Sequence, residues 1–169
     1  MRRKRIRSFA PIADRRARIL ILGSMPGVES LAQGRYYAHR RNSFWPIMAA
    51  LLDFDPAAPY EIRARALRAR RIALWDVLHS CVREGSLDAG IGEEVANDFV
   101  AFFGAHRAIT HVFFNGATAE ACYRRHVLPE VGAPMRYARL PSTSPAHASL
   151  SLARKLSAWR AILKVEERP

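Results

Sequence analysis

Four short apolar runs, separated by stretches with helical spacing, constrain this chain more than any other feature. They are Arg18-Ile-Leu-Ile-Leu-Gly23, Ile72-Ala-Leu-Trp-Asp-Val77, Ile109-Thr-His-Val-Phe-Phe-Asn-Gly116 and Met135 to Leu140. Each has the length of a buried strand, and several end on a turn-forming residue. Between them, Asn42 to Leu52 carries Phe44, Trp45, Ile47, Met48, Leu51 and Leu52 at helical spacing. Tyr60 to Arg70 reads as a second helix, its arginines forming a solvated face over buried stems. Glu93 to Phe103 reads as a third helix, and another follows Gly116 through Tyr123. In the last helix Leu152, Leu156, Trp159 and Leu163 fall at i, i+4, i+7 and i+11, so they form one apolar stripe. Trp159 is then a core residue. Strands alternating with helices imply a parallel sheet covered on both faces. The expected fold is a three-layer α/β/α sandwich around a short, mostly parallel four-stranded sheet, with residues 1–169 in one domain.

Charge narrows the partner. Lys and Arg number 27 against 15 Asp and Glu, a formal charge of +12 on 169 residues. Such a chain favours polyanions, phosphate backbones first; a merely basic or ribosome-associated protein is the alternative. Cys81 and Cys122 are the only cysteines. They provide neither a disulfide framework nor the four ligands of an iron–sulfur cluster, and they read as buried thiols in a reducing compartment. No apolar run reaches membrane-spanning length. The basic start, Met1 to Arg7, lacks the long apolar region of a secretory signal, so residues 1–8 read as a flexible basic tail, or alternatively as a DNA-contacting arm. The expectation is a cytoplasmic monomer.

In open α/β sheets, ligands sit at the carboxyl ends of strands. The unusual segments of this chain follow strands. Gly23-Ser-Met-Pro-Gly27 is a tight turn whose backbone N–H groups can form an anion-binding nest, although it lacks a P-loop lysine and dinucleotide spacing. Asp76 and Asn115 end two strands. Pro141-Ser-Thr-Ser-Pro-Ala-His147 is rich in hydroxyls and could grip a phosphate, or could be an ordinary loop and cap. Tyr36-Tyr-Ala-His-Arg-Arg-Asn-Ser-Phe-Trp45 interleaves aromatics with basic and amide groups, the chemistry that holds an unstacked base; a helix start with Asn42 as N-cap and Phe44 and Trp45 in the core is compatible with that and is what the segment by itself favours. The six histidines show no metal-ligand spacing such as HExxH, and no GxSxG elbow occurs.

Taken in order, Ile19-Leu-Ile-Leu-Gly-Ser-Met-Pro-Gly27, Tyr36-Tyr-Ala-His39 with Asn42-Ser-Phe-Trp45, Ile72-Ala-Leu-Trp-Asp-Val77, Phe114-Asn-Gly116 and Leu140-Pro-Ser-Thr-Ser-Pro-Ala146 resemble the uracil-DNA glycosylase superfamily. Within it they resemble the hypoxanthine-DNA (deoxyinosine) glycosylases, and more distantly the mismatch-specific uracil glycosylases. The resemblance runs from about residue 9 to about residue 163. It implies removal of a deaminated base from DNA by cleavage of the N-glycosidic bond, without metal or organic cofactor. Two departures stand out. Many superfamily members place a water-positioning Asp or Asn where this chain has Met25, and the hypoxanthine branch is thought to rely instead on the asparagine that here is Asn42. Relatives often read His-Pro-Arg-Asn where this chain has His39-Arg-Arg-Asn42.

Because a stacked nucleotide hides its C1′, such an enzyme must extrude it. The resemblance implies the following roles. Tyr37 stacks on the extruded base. Ser24, Met25, Pro26 and Gly27 line the pocket floor. Asp76 and Asn115 are candidates to read the base edge. Asn42 orients water or hydrogen-bonds the base, and His147 or His39 stabilises the departing base. His39, Arg40 and Arg41, with Ser142, Thr143, Ser144, Pro145 and Ala146, contact the DNA strand. Rival readings are a uracil or G:U mismatch glycosylase, and a non-catalytic binder of damaged DNA.

Overall fold

A computed structural model describes residues 4–165. Four strands form the main sheet: β2 (Ile19–Gly23), β3 (Ile72–Asp76), β6 (His111–Asn115) and β7 (Arg136–Leu140). Their order is β3-β2-β6-β7 and every pair is parallel, with Ile19 opposite both Ile72 and His111, and His111 opposite Arg136. All of β2 and β3 is buried, as expected of central parallel strands covered on both faces. The covering helices form two contacting groups. One contains α2 (Phe44–Leu52), α3 (Tyr60–Ala69) and α7 (Leu152–Trp159), and the other α4 (Phe99–Ala105), α5 (Ala117–His126) and α6 (Leu128–Val131). A short helix α1 (Val28–Gln33) follows the first turn. The expected layered fold and its four strands are all present.

Three details differ from the sequence reading. First, a three-stranded antiparallel sheet, β1 (Arg5–Arg7), β4 (Leu78–Val82) and β5 (Gly92–Ala96), lies beside the main one in the order β1-β4-β5. Its first strand falls within the expected tail: Arg5 to Arg7 pair with Val82 to Ser80. Residues 1–3 lie outside the described residues. Second, the helix expected over Glu93 to Phe103 is half strand. Glu93 and Glu94 favour helix locally, but pairing with β4 overrides that preference, and the ladder is irregular where Glu93 takes φ 48°. The α4 helix starts only after Asp98, whose carboxylate accepts from the Ala101 N–H. Third, the last helix turns to a 3-10 form over Arg160–Val165, and its buried face differs from the leucine stripe. Leu152 is 54 % exposed, whereas Lys155 is 6 % and Trp159 0 % exposed.

Candidate functional site

The carboxyl ends of β2, β3, β6 and β7 open onto one cavity of about 650 Å³. It sits where the chain, having laid β3 on one side of β2, crosses to lay β6 on the other. This is the switch point at which open sheets bind ligands. Every residue expected at the site lines this cavity except Arg40, which is exposed away from its wall.

The floor comes from the Gly23–Gly27 turn. Its carbonyls face inward to the protein: Gly23 accepts from the Val77 N–H (2.8 Å), Ser24 from the Leu78 N–H (3.1 Å), and Pro26 from the Arg83 guanidinium. The N–H groups of Ser24, Met25 and Gly27 make no hydrogen bond among the described residues, so they remain available as donors. Gly23 must be glycine. A Cβ there would lie 2.5 Å from Asp76 Oδ1 and 2.9 Å from the Tyr37 hydroxyl. Met25 is a buried apolar wall.

Tyr37 adopts φ 53°, a left-handed conformation that costs a non-glycine residue energy. It persists because both ends of the side chain are held. One ring face stacks on Phe44 with centroids 4.2 Å apart, and the hydroxyl accepts a 3.1 Å hydrogen bond from Asn115 Nδ2. Burial, with the charge of Asp76, drives its phenol far above the ordinary range, so it stays neutral. At most one ring face is left for a base. Tyr36 is no substitute, since its hydroxyl donates to the Ala10 carbonyl (2.9 Å) in the core.

The two residues expected to read the base edge have different situations. Both amide protons of Asn115 are engaged within the protein, by Tyr37 and by Thr143 Oγ1 (2.9 Å), while its Oδ1 accepts from the Thr143 N–H (2.9 Å). Asn115 therefore fastens the 141–147 loop and Tyr37 to the end of β6. Asn115→Ala is expected to cost about 2–4 kcal/mol in urea unfolding, because it strands a buried N–H, which alone costs about 1–3 kcal/mol. Asp76 is 3 % exposed, and its Oδ2 has no partner. Burial and the charge of Asp88 push its carboxyl up to about 7. An unpartnered, buried carboxyl facing a cavity is held for something that enters it.

The rim combines α2 and the 141–147 loop. Asn42 Oδ1 accepts from the Phe44 N–H (3.0 Å) and so caps α2 from one residue before the N-cap, Ser43; its Nδ2 makes no hydrogen bond among the described residues. His39 Nδ1 accepts from the Arg41 N–H (3.1 Å), which makes Nε2 the protonated nitrogen of a neutral ring. Thr143, expected to contact DNA, is 1 % exposed and engaged with Asn115, so its hydroxyl cannot reach a phosphate. Ser142 and Ser144 are partly exposed and shape the loop by accepting from the Ser144 and Ala146 N–H groups. The last helix holds both ends of this loop: Trp159 Nε1 donates to the Pro141 carbonyl (2.9 Å) and Lys155 Nζ to that of His147 (2.6 Å). The His147 imidazole itself makes no hydrogen bond among the described residues.

Sequence reasoning missed Lys155, Arg83, Ser86 and Asp88. Lys155 carried a signal: it lies three residues after Leu152 and four before Trp159, a charge on the apolar face of a helix. Ser86 Oγ accepts from the Val28 N–H (2.8 Å), and Asp88 Oδ1 from Ser24 Oγ (2.8 Å), so the turn after β4 forms a wall of the cavity. Nothing in the local composition marks that turn. Among the described residues no group of three or more His, Cys, Asp or Glu could hold a metal ion, and no helix is long and apolar enough to cross a membrane.

The comparisons with known proteins agree with this geometry. Residues 10–163 match the family described as the uracil DNA glycosylase superfamily. A hypoxanthine DNA glycosylase of Methanosarcina acetivorans is 34% identical over 159 residues, covering 94% of this chain and 98% of the relative. One from Methanosarcina barkeri is 37% identical over 109 residues, 64% of this chain and 69% of the relative. A solution NMR structure of a candidate uracil DNA glycosylase from Methanosarcina acetivorans superposes with a TM-score of 0.84 at 32% identity, covering 98% of this chain and 100% of that one. The match over residues 10–163, with a relative 34% identical over 94% of this chain, makes this chain a member of the uracil DNA glycosylase superfamily, and its cavity lies where the matched motifs meet at the switch point of the sheet.

Proposed function

We propose that this protein is a monofunctional DNA glycosylase that flips hypoxanthine out of DNA and hydrolyses its bond to deoxyribose. The observation that carries the reading of a deaminated base is Asp76, and the relatives' names carry the choice of hypoxanthine. Hypoxanthine presents a lactam edge, N1–H beside C6=O, and uracil presents the same pattern in N3–H beside C4=O. A neutral carboxyl complements both groups: its carbonyl oxygen accepts from N1–H and its hydroxyl donates to O6. With its pKa raised to about 7, Asp76 is available in that form at neutral pH. As the glycosidic bond breaks, negative charge spreads onto the purine, O6 included, and the hydrogen bond from Asp76 strengthens in the transition state. The relatives named hypoxanthine DNA glycosylases support the same base. A neutral carboxyl also suits the edge of adenine, so rejection of adenine rests on extrusion, because deaminated bases pair poorly and leave the stack at lower cost.

The remaining roles follow from what each group has free. The unpaired ring face of Tyr37 supports the base. Asn42 offers Nδ2 as a donor to the purine as it takes up charge. His147 and His39, at the cavity wall, provide further donors to the departing base. Ser142, Ser144, Pro145 and Ala146 follow the strand path with Arg41, and the excess of 27 basic over 15 acidic residues attracts the backbone.

The test is single-turnover excision on duplexes carrying one hypoxanthine, uracil or xanthine. Release of free hypoxanthine, faster than uracil, is expected. Preference for uracil would overturn the choice of base, and tight binding of lesion DNA without an abasic product would make the protein a non-catalytic binder.

A further inference from the structure

We infer that Asp88 is the catalytic carboxylate of this site: it holds the attacking water, takes its proton and faces the cationic sugar. The inference rests on the glycosylase reading above and adds the group that reading leaves unassigned.

Hydrolysis fixes what is required. Water adds to C1′ while the C1′–N9 bond breaks and its electron pair leaves with the purine. One proton of the water must depart, and the purine anion takes up one proton from solvent. The sugar is positively charged in between. An anion beside C1′ therefore serves twice, as proton acceptor and as counter-charge. Asn42 cannot remove a proton from water, and Met25 offers no acceptor.

Three carboxyl groups line the cavity among the described residues: Glu29, Asp76 and Asp88. Glu29 lies on the exposed side of α1 and accepts from Gln33 Nε2 at 2.6 Å. Asp76 is buried at the floor, 3 % exposed, where its proposed role is to read the base. Asp88 is solvent-accessible, as a group that meets water must be. Its Oδ1 is fixed by the 2.8 Å hydrogen bond from Ser24 Oγ, on the turn that floors the pocket, and its Oδ2 makes no hydrogen bond among the described residues. Its hydrogen bond from Ser24 and its place in the cavity wall set it against the turn that floors the pocket, and its charge adds to burial in raising the pKa of Asp76. Of the other charged and titratable groups, Asp76 at the end of β3 and Tyr37 feel the charge of Asp88, Arg83 just beyond β4 turns its guanidinium to the Pro26 and Gly85 carbonyls, and Glu29, His39, Arg41 and His147 line the same cavity.

The test is Asp88→Asn, which keeps the acceptor for Ser24 and removes the base. Under single-turnover conditions on hypoxanthine duplex, the rate is expected to fall by at least about 10²-fold, the scale of general base catalysis. The acidic limb of the pH–rate profile should disappear, binding of the same duplex should be unchanged, and Asp88→Glu should recover part of the rate. Circular dichroism of each variant confirms folding. An unchanged rate, or an acidic limb that persists in Asp88→Asn, would overturn the assignment; its loss in His147→Ala instead would move the role to His147. Wild-type protein in the same assay separates the two questions, because a wild type that releases no base counts against the glycosylase reading, whereas an active wild type with an equally active variant counts against Asp88 alone.

Discussion

Asp76→Asn is expected to stabilise the protein above neutral pH while keeping its ability to excise hypoxanthine. The carboxyl of Asp76 has its pKa raised from 3.8 to about 7 in the folded protein, by burial first and by the charge of Asp88 second. Between those two values the folded state holds a proton that the unfolded chain releases. Stability therefore declines as pH rises through this window, and the full penalty is present above the folded pKa. A raise of about three units corresponds to roughly 4 kcal/mol at most, since one unit is about 1.36 kcal/mol. Asparagine cannot ionise, so the variant should lose this slope, and urea unfolding across that window and above it measures it. An identical slope in both proteins would show that Asp76 is not the group responsible. Asparagine also copies the neutral acid: its Oδ1 accepts from N1–H and its Nδ2 donates to O6. Excision should persist, and its decline on the basic side of the pH profile should vanish. A variant that cannot recognise hypoxanthine would mean that the ionised carboxylate reads the base.

Asn42→Ala is expected to slow excision by about 10²–10³-fold, the usual cost of removing one donor to developing negative charge. DNA affinity should be nearly unchanged, because the contact forms fully only as the base departs. Alanine also removes the acceptor for the Phe44 N–H, and loss of such a cap costs about 0.5–2 kcal/mol of stability. Asn42→Asp separates the two effects, since it keeps a capping oxygen and lacks the amide donor. It should melt close to wild type and excise as slowly as the alanine variant. Two variants as fast as wild type would remove Asn42 from the chemistry and leave it as a cap.

The sequence alone determined what local pattern can determine. Four apolar runs of strand length could be buried only by pairing side by side under helices, and the groups with unusual chemistry followed them. That is why the order of residues along the chain suffices to group Ser24 to Gly27, Tyr37, Asp76, Asn115 and the 141–147 loop at one end of a sheet. Only the tertiary structure decided which of those groups are free. Asn115 and Thr143 have the same hydrogen-bonding capacity in any sequence, but here they engage each other, and Asp76 is left without a partner. Pairing with β4, far along the chain, made a strand of Arg5–Arg7, and pairing with the other edge of β4 made one of Gly92–Ala96. Distant packing also brought Asp88 to Ser24, and the docking of the last helix turned Lys155 inward to the His147 carbonyl. The physical reason is that a residue's preference is local, whereas the satisfaction of a buried polar group depends on neighbours that arrive from anywhere in the chain.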